Sequence, residues 1–163
     1  MLETLHVYTK RTLKQHLPNV ESNDGADIGL CRIDTVNNEV IYAGAHRPLI
    51  QVSGTEIIEI KGDKQPIGGE HYSRKKKRLY FTNQSIKYKA GDAFLLFSDG
   101  LTDQFGGKEK QPMKFGTANV KNIFFQNAEK SSGEINAEIE KQFETWKIGQ
   151  KQIDDVLLIC FKP

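Results

Sequence analysis

Two apolar runs constrain this chain more than any other feature, because each carries acidic residues at one end and the two are written in opposite order. Phe94-Leu95-Leu96-Phe97 leads into Ser98-Asp99-Gly100-Leu101-Thr102-Asp103, whereas Gln152-Ile153-Asp154-Asp155 leads into Val156-Leu157-Leu158-Ile159-Cys160-Phe161. Short runs this apolar read as buried strands. If they pair antiparallel, the C-terminal end of the first lies beside the start of the second, and Asp99 converges with Asp154 or Asp155. Two carboxylates about 4 Å apart repel by about 4 kcal/mol at an effective dielectric of about 20, which a proton or a cation between them relieves. Hard Mg²⁺ or Mn²⁺ suits such donors, and ions of this kind can supply a nucleophilic water to a phosphate ester. The alternative makes Asp99-Gly100 a turn after a strand and Asp154-Asp155 a polar strand entry. Asp103, four residues into a loop, reads as a solvated acid, or else as a ligand or a supporting group.

The rest of the composition narrows the field. At 163 residues and 37% hydrophobic, the chain is expected to form a single domain over residues 1–163 with a sizeable core. Its 23 basic and 21 acidic residues nearly balance, which argues against a nucleic-acid partner. Cys31 and Cys160 lie in apolar runs without metal-type spacing and read as small buried thiols of a reducing compartment. No window approaches the roughly 18 apolar residues of a membrane span, and the N-terminus lacks the pattern of a signal peptide. This segment is therefore expected to be cytoplasmic, with no membrane partner.

Along the chain, residues 3–17 read as a helix with Leu5, Leu13 and Leu17 as its apolar positions, ending before Pro18. Residues 27–34, 39–45, 49–52 and 55–60 read as hairpin-linked strands of an antiparallel sheet, with turns at Asn37-Asn38 and Ser53-Gly54. Strands are also expected at 78–82, 85–89 and 93–97, and an exposed loop at 104–112. Two helices follow, one over 117–127 with Val120, Ile123 and Phe124 on one face. The other carries a Ser131–Glu134 capping box and a stripe of Ile135, Ile139, Phe143 and Trp146. Helices grouped apart from antiparallel strands indicate the α+β class.

The acidic motifs have further company. Asp24-Gly25-Ala26-Asp27-Ile28-Gly29-Leu30-Cys31, Tyr42-Ala43-Gly44-Ala45-His46-Arg47-Pro48-Leu49 and Pro66-Ile67-Gly68-Gly69 precede them in order. As an ordered set over about residues 20–162, these motifs resemble the metal-dependent type 2C serine/threonine phosphatases, most closely the bacterial branch typified by sporulation stage II protein E. The resemblance implies a mainly antiparallel β-sandwich flanked by helices, in which paired Mn²⁺ or Mg²⁺ ions activate a water that attacks phosphoserine or phosphothreonine directly. By motif match it makes Asp99 and Asp154 metal ligands, with Gly100, Asp103 and Asp155 as supporting residues and no catalytic side chain beyond the activated water. Its implied partner is a phosphorylated regulatory protein such as an anti-sigma-factor antagonist, in bacterial signalling.

The family carries a further Asp in an Asp-Cys-Thr-Gly-His-Gly-like turn upstream of its first helix, and this sequence contains none. The resemblance thus implies the C-terminal portion of such a domain, with poor metal affinity and an uncovered sheet edge and apolar face that favour a homo-oligomer. A pseudophosphatase or interaction module is the alternative. Among remaining features, Arg74-Lys75-Lys76-Lys77-Arg78 reads as solvated or edge-protecting, or else as steering an acidic phosphoprotein. His46 is a candidate general acid only within an assembled site, and Arg47 is a surface turn residue or a phosphate contact. Asp24 and Asp27 read as turn or cap residues.

Overall fold

The computed structural model describes residues 1–18, 23–69, 80–107 and 111–163. These form two compact units, Met1–Leu49 with Ile60–Tyr88 and Ile50–Glu59 with Lys89–Pro163. The basic run 74–78 and His71 lie outside the described residues.

In the first unit, helix α1 (Leu2–Thr12) is followed by strands β1 (Gly25–Ala26), β2 (Ile28–Asp34) and β3 (Glu39–Ala45). Strands β4 (Leu49–Ser53) and β5 (Glu56–Ile60) come next in the chain, then β6 (Ile67–Gly68) and β7 (Gln84–Lys87). The sheet runs β2-β3-β7, all antiparallel, with β2 and β3 paired from Ile28↔Ala45 to Asp34↔Glu39. The hairpin closes where expected. Asn38 adopts φ 49°, and the Asp34 carboxylate accepts from the N–H groups of Val36 (3.1 Å) and Asn37 (3.0 Å). Leu2, Ala43, Ala45 and Ile67 pack together, with Ile28 and Phe81 against them.

Helix α1 is shorter than the sequence suggests. It ends at Thr12 because Lys14 turns left-handed (φ 54°), so Leu13 and Leu17 leave the helical register and, with Leu5, stay exposed while Leu2 is buried. Gln15 is buried instead, its amide donating to the Asp24 carbonyl (2.7 Å) and accepting from Gly69 N–H (2.8 Å). No strand forms at Tyr80–Thr82; Thr82 N–H donates to the Asp63 carboxylate at 2.7 Å.

The hairpin-linked strands also do not share one sheet. His46 (φ 57°) and Pro48, which has no N–H to offer a ladder, end β3, and β4 joins a second sheet ordered β11-β8-β4-β5. Here β8 (Ala93–Phe97) is central, pairing with β4 (Ile50↔Leu95) and with β11 (Leu158–Phe161) from Phe97↔Leu158 to Phe94↔Phe161. Burial of successive side chains, Ala93, Phe94 and Leu95 and then Phe97, explains its unbroken apolar text. Helices α3 (Gly116–Gln126) and α4 (Ser132–Lys147) contribute Val120, Ile123, Phe124, Ile135, Ile139 and Phe143 to the core of this unit. Trp146 packs half-buried against it, edge-on to Phe115. The α+β class with antiparallel sheets and helices is thus the observed one.

Of the expected exposed loop 104–112, residues 108–110 lie outside the described residues, and its start departs from a loop: Gln104 is fully buried, and β9 (Phe105–Gly106) pairs with β10 (Met113–Lys114) just before α3. The last strand begins at Leu158 rather than 156, because the N–H of Leu157 is taken by the Ser98 side chain.

The capping box forms as expected, with Glu134 N–H donating to Ser131 Oγ (3.4 Å) and Ser131 N–H to Glu134 Oε2 (3.0 Å). The Ser131 hydroxyl and then its N–H hold the Glu134 carboxyl below its ordinary 4.5. A folded value below the unfolded one contributes stability above the ordinary value and loses it as pH falls through the folded value. Ser131→Ala is expected to cost about 1 kcal/mol in urea unfolding at pH 7, with the difference from the parent shrinking as pH falls below 4.5.

Burial pushes the Cys31 thiol up to about 11. Iodoacetamide at pH 8 is expected to alkylate Cys31 at least about tenfold more slowly than free cysteine, as mass spectrometry would show.

Candidate functional site

Strand β8 ends at Phe97, Ser98 remains extended, and the chain then enters a single helical turn, α2 (Asp99–Asp103). Asp99 is therefore neither in a loop nor in a simple turn: it is the first, exposed residue of that helix. Asp103 is the last, half-exposed, and paired with Lys114 Nζ at 3.0 Å. Across from them, the antiparallel β8–β11 register runs on past the strands, with Ser98 N–H donating to the Leu157 carbonyl at 3.0 Å.

Two residues make the acidic segments meet. The Ser98 hydroxyl does not cap α2; it donates to the Asp155 carbonyl (3.0 Å) and accepts from Leu157 N–H (2.9 Å). Gly100 is buried, and a Cβ built on it would lie 2.2 Å from the Asp155 carbonyl oxygen, so only glycine lets the 154–155 backbone approach the residue beside Asp99. Asp154 and Asp155 are exposed, the Asp154 carboxylate accepts from Asp155 N–H at 2.7 Å, and Gln152 donates to the Asp154 carbonyl at 2.9 Å. The role of Ser98 was not read from the sequence. Its signal was a small hydroxyl residue at the end of a buried strand, where a backbone group of the facing chain needs a partner.

Exposed carboxylate oxygens are hard donors of the type Mg²⁺ and Mn²⁺ take, and these ions commonly use one or two carboxylates and retain water. By donor chemistry Asp99 and Asp154 fit such an ion. Among the described residues, however, no group of three or more His, Cys, Asp or Glu side chains is arranged to hold one.

In the first unit Asp27 is neither a turn nor a cap residue. Its carboxylate bridges His46 Nδ1 (2.9 Å) and the Arg47 guanidinium (3.0 Å), while the backbone carbonyl of Asp24 serves Gln15. This ties the left-handed His46 turn to the start of β2.

Gly100→Ala is expected to cost about 1–3 kcal/mol or more through the clash with Asp155. Urea unfolding would measure it, and backbone NMR should show the Asp154 and Asp155 amide signals displaced.

The family model of stage II sporulation protein E matches residues 4–163. A search of the curated proteins finds no match. Among solved structures, the chain is similar to the SiaA-PP2C domain of Pseudomonas aeruginosa, with 22% identity and a TM-score of 0.82 over 99% of this chain and 58% of that one. It is also similar to the phosphatase domain of SpoIIE from Bacillus subtilis, with 15% identity and a TM-score of 0.62 over 99% and 70% of the two chains. For the RsbU and RsbW domains of a Mycobacterium tuberculosis protein, the values are 21% and 0.66 over 99% and 41%. At these identities the likeness carries the fold alone, and this chain spans 58% of the length of the SiaA domain. The family match covers nearly the whole chain, so the protein belongs to the stage II sporulation protein E family.

Proposed function

We propose that this chain serves the metal-dependent hydrolysis of phosphoserine or phosphothreonine on a regulatory protein. The observation that carries this reading is the apposition of α2 with residues 154–155, which sets Asp99 and Asp154 on adjoining backbone through the side-chain-free Gly100. Asp99 and Asp154 are the residues that would hold Mn²⁺ or Mg²⁺. When bound, such an ion supplies an activated water and neutralises charge on the transferring phosphoryl group. Gly100 keeps the two segments in contact, Asp155 offers its carbonyl to Ser98, and Asp103 is steadied by Lys114. Arg47, taken by itself in the first unit, is a candidate phosphate contact, because its guanidinium is held by Asp27 and suits a phosphate's paired oxygens.

The finer assignments are part of the same proposal. Residues 1–163 belong to one phosphatase domain that acts in the cytoplasm and self-associates, with a phosphorylated regulator such as an anti-sigma-factor antagonist as substrate. Membership of the family and the likeness to a structure that contains RsbU and RsbW domains support a signalling partner. Among the described residues no helix is long and apolar enough to cross a membrane.

A second reading, an inactive pseudophosphatase or interaction module, is favoured by one observation: the lack of a three-group metal cluster among the described residues. Hydrolysis of p-nitrophenyl phosphate in millimolar Mn²⁺ separates the two. The enzymatic reading expects turnover that chelation removes and that Asp99→Asn lowers at least about 100-fold. A folded parent with no turnover above that variant would sink it and leave the second.

A further inference from the structure

Gln104 lies fully buried at the C-terminal end of α2, and its amide is spent on backbone. Nε2 donates to the carbonyls of Phe105 (2.9 Å) and Lys151 (3.1 Å), and Oε1 accepts from Ile153 N–H (3.3 Å). Its main-chain carbonyl accepts from Phe115 N–H at 2.8 Å. At the other end of α2, Ser98 holds the Asp155 carbonyl and the Leu157 N–H. The two residues that flank α2 therefore grip residues 151–157 on either side of Asp154-Asp155.

Solvation does not require this arrangement. Residues 151–155 are exposed, so water could satisfy the Lys151 carbonyl and the Ile153 N–H, whereas burying an amide costs free energy unless it is fully bonded. What the amide adds is position, because its two bonds to residues 151 and 153 fix where that segment enters. Ser98 alone would anchor it only downstream of Asp154.

We infer that Gln104 is a positioning residue: through its bonds to Lys151 and Ile153 it sets where Asp154 stands relative to Asp99. Gln104 touches no substrate and acts through the 151–153 backbone. The functional consequence rests on the reading of Asp99 and Asp154 as divalent-cation ligands, and outer partners of this kind tune metal affinity strongly.

The test compares the full-length parent with Gln104→Met, which keeps the shape and loses the bonds, and with Ile123→Val, a core change in α3 as a control for loosening. Gln104→Asn, which keeps an amide at shorter reach, replaces the Met variant should that fail to fold. In metal-free protein, the amide signals of Gly100, Asp154 and Asp155 should move in the Gln104 variant and stay in place in Ile123→Val. Mn²⁺ affinity, read from the electron paramagnetic resonance of free Mn²⁺, should fall at least about tenfold in the Gln104 variant and less than about twofold in the control. Unmoved amide signals in a folded Gln104 variant, or equal movement in the control, would overturn the inference. If those signals move as expected while the parent binds Mn²⁺ no better than Asp99→Asn, the positioning stands and the metal reading falls.

Discussion

Everything at the candidate site depends on how the chain leaves the β8–β11 ladder. Antiparallel pairing brings the end of one strand beside the start of the other, but backbone hydrogen bonds alone would let the two segments diverge as soon as the strands stop. The Ser98 hydroxyl prevents this by acting as a further rung, accepting from Leu157 and donating to Asp155. Gly100 then permits an approach that any side chain would block, since a Cβ there would lie 2.2 Å from the Asp155 oxygen. The two hydrogen bonds of the Ser98 hydroxyl and a missing methyl group together fix how closely the two acidic segments approach.

The surrounding core explains why this small constellation can be held so closely. Strand β8 is buried between β4 and β11 and backed by α3 and α4, so its end has little freedom. Asp99 is the exposed first residue of the helical turn that follows this strand, above backbone that stays ordered. In the first unit a comparable economy appears at Asp27, where one carboxylate holds both His46 and Arg47 and so stabilises a left-handed turn that a bulky residue adopts at some cost.

Much of the fold was legible because it rests on periodic, local signals. The strands at 28–34 and 39–45, the turn at Asn38, the Ser131–Glu134 box and the stripe of α4 follow from alternation, left-handed preference and capping chemistry. What was misread turned on a single left-handed residue or on a partner distant in the chain. Leu5, Leu13 and Leu17 look like a helix face, yet a left-handed Lys14 breaks the register and the buried residue is Gln15. Gln104 opens a polar, glycine-rich stretch, yet it is buried because its amide finds the backbone of residues 151–153, some 47 to 49 positions away.

The sequence by itself determined the acids, their order around two apolar runs, and hence which carboxylates could meet once the two strands paired antiparallel. These are consequences of composition and of the two-residue period of a strand. Only the tertiary structure decided that Asp99 opens a helical turn, that the four strands between 28 and 60 divide between two sheets, and that Ser98 and Gln104 grip the segment that bears Asp154. Such outcomes rest on hydrogen bonds and close approaches between residues far apart in the chain, for which local sequence carries no period and no propensity.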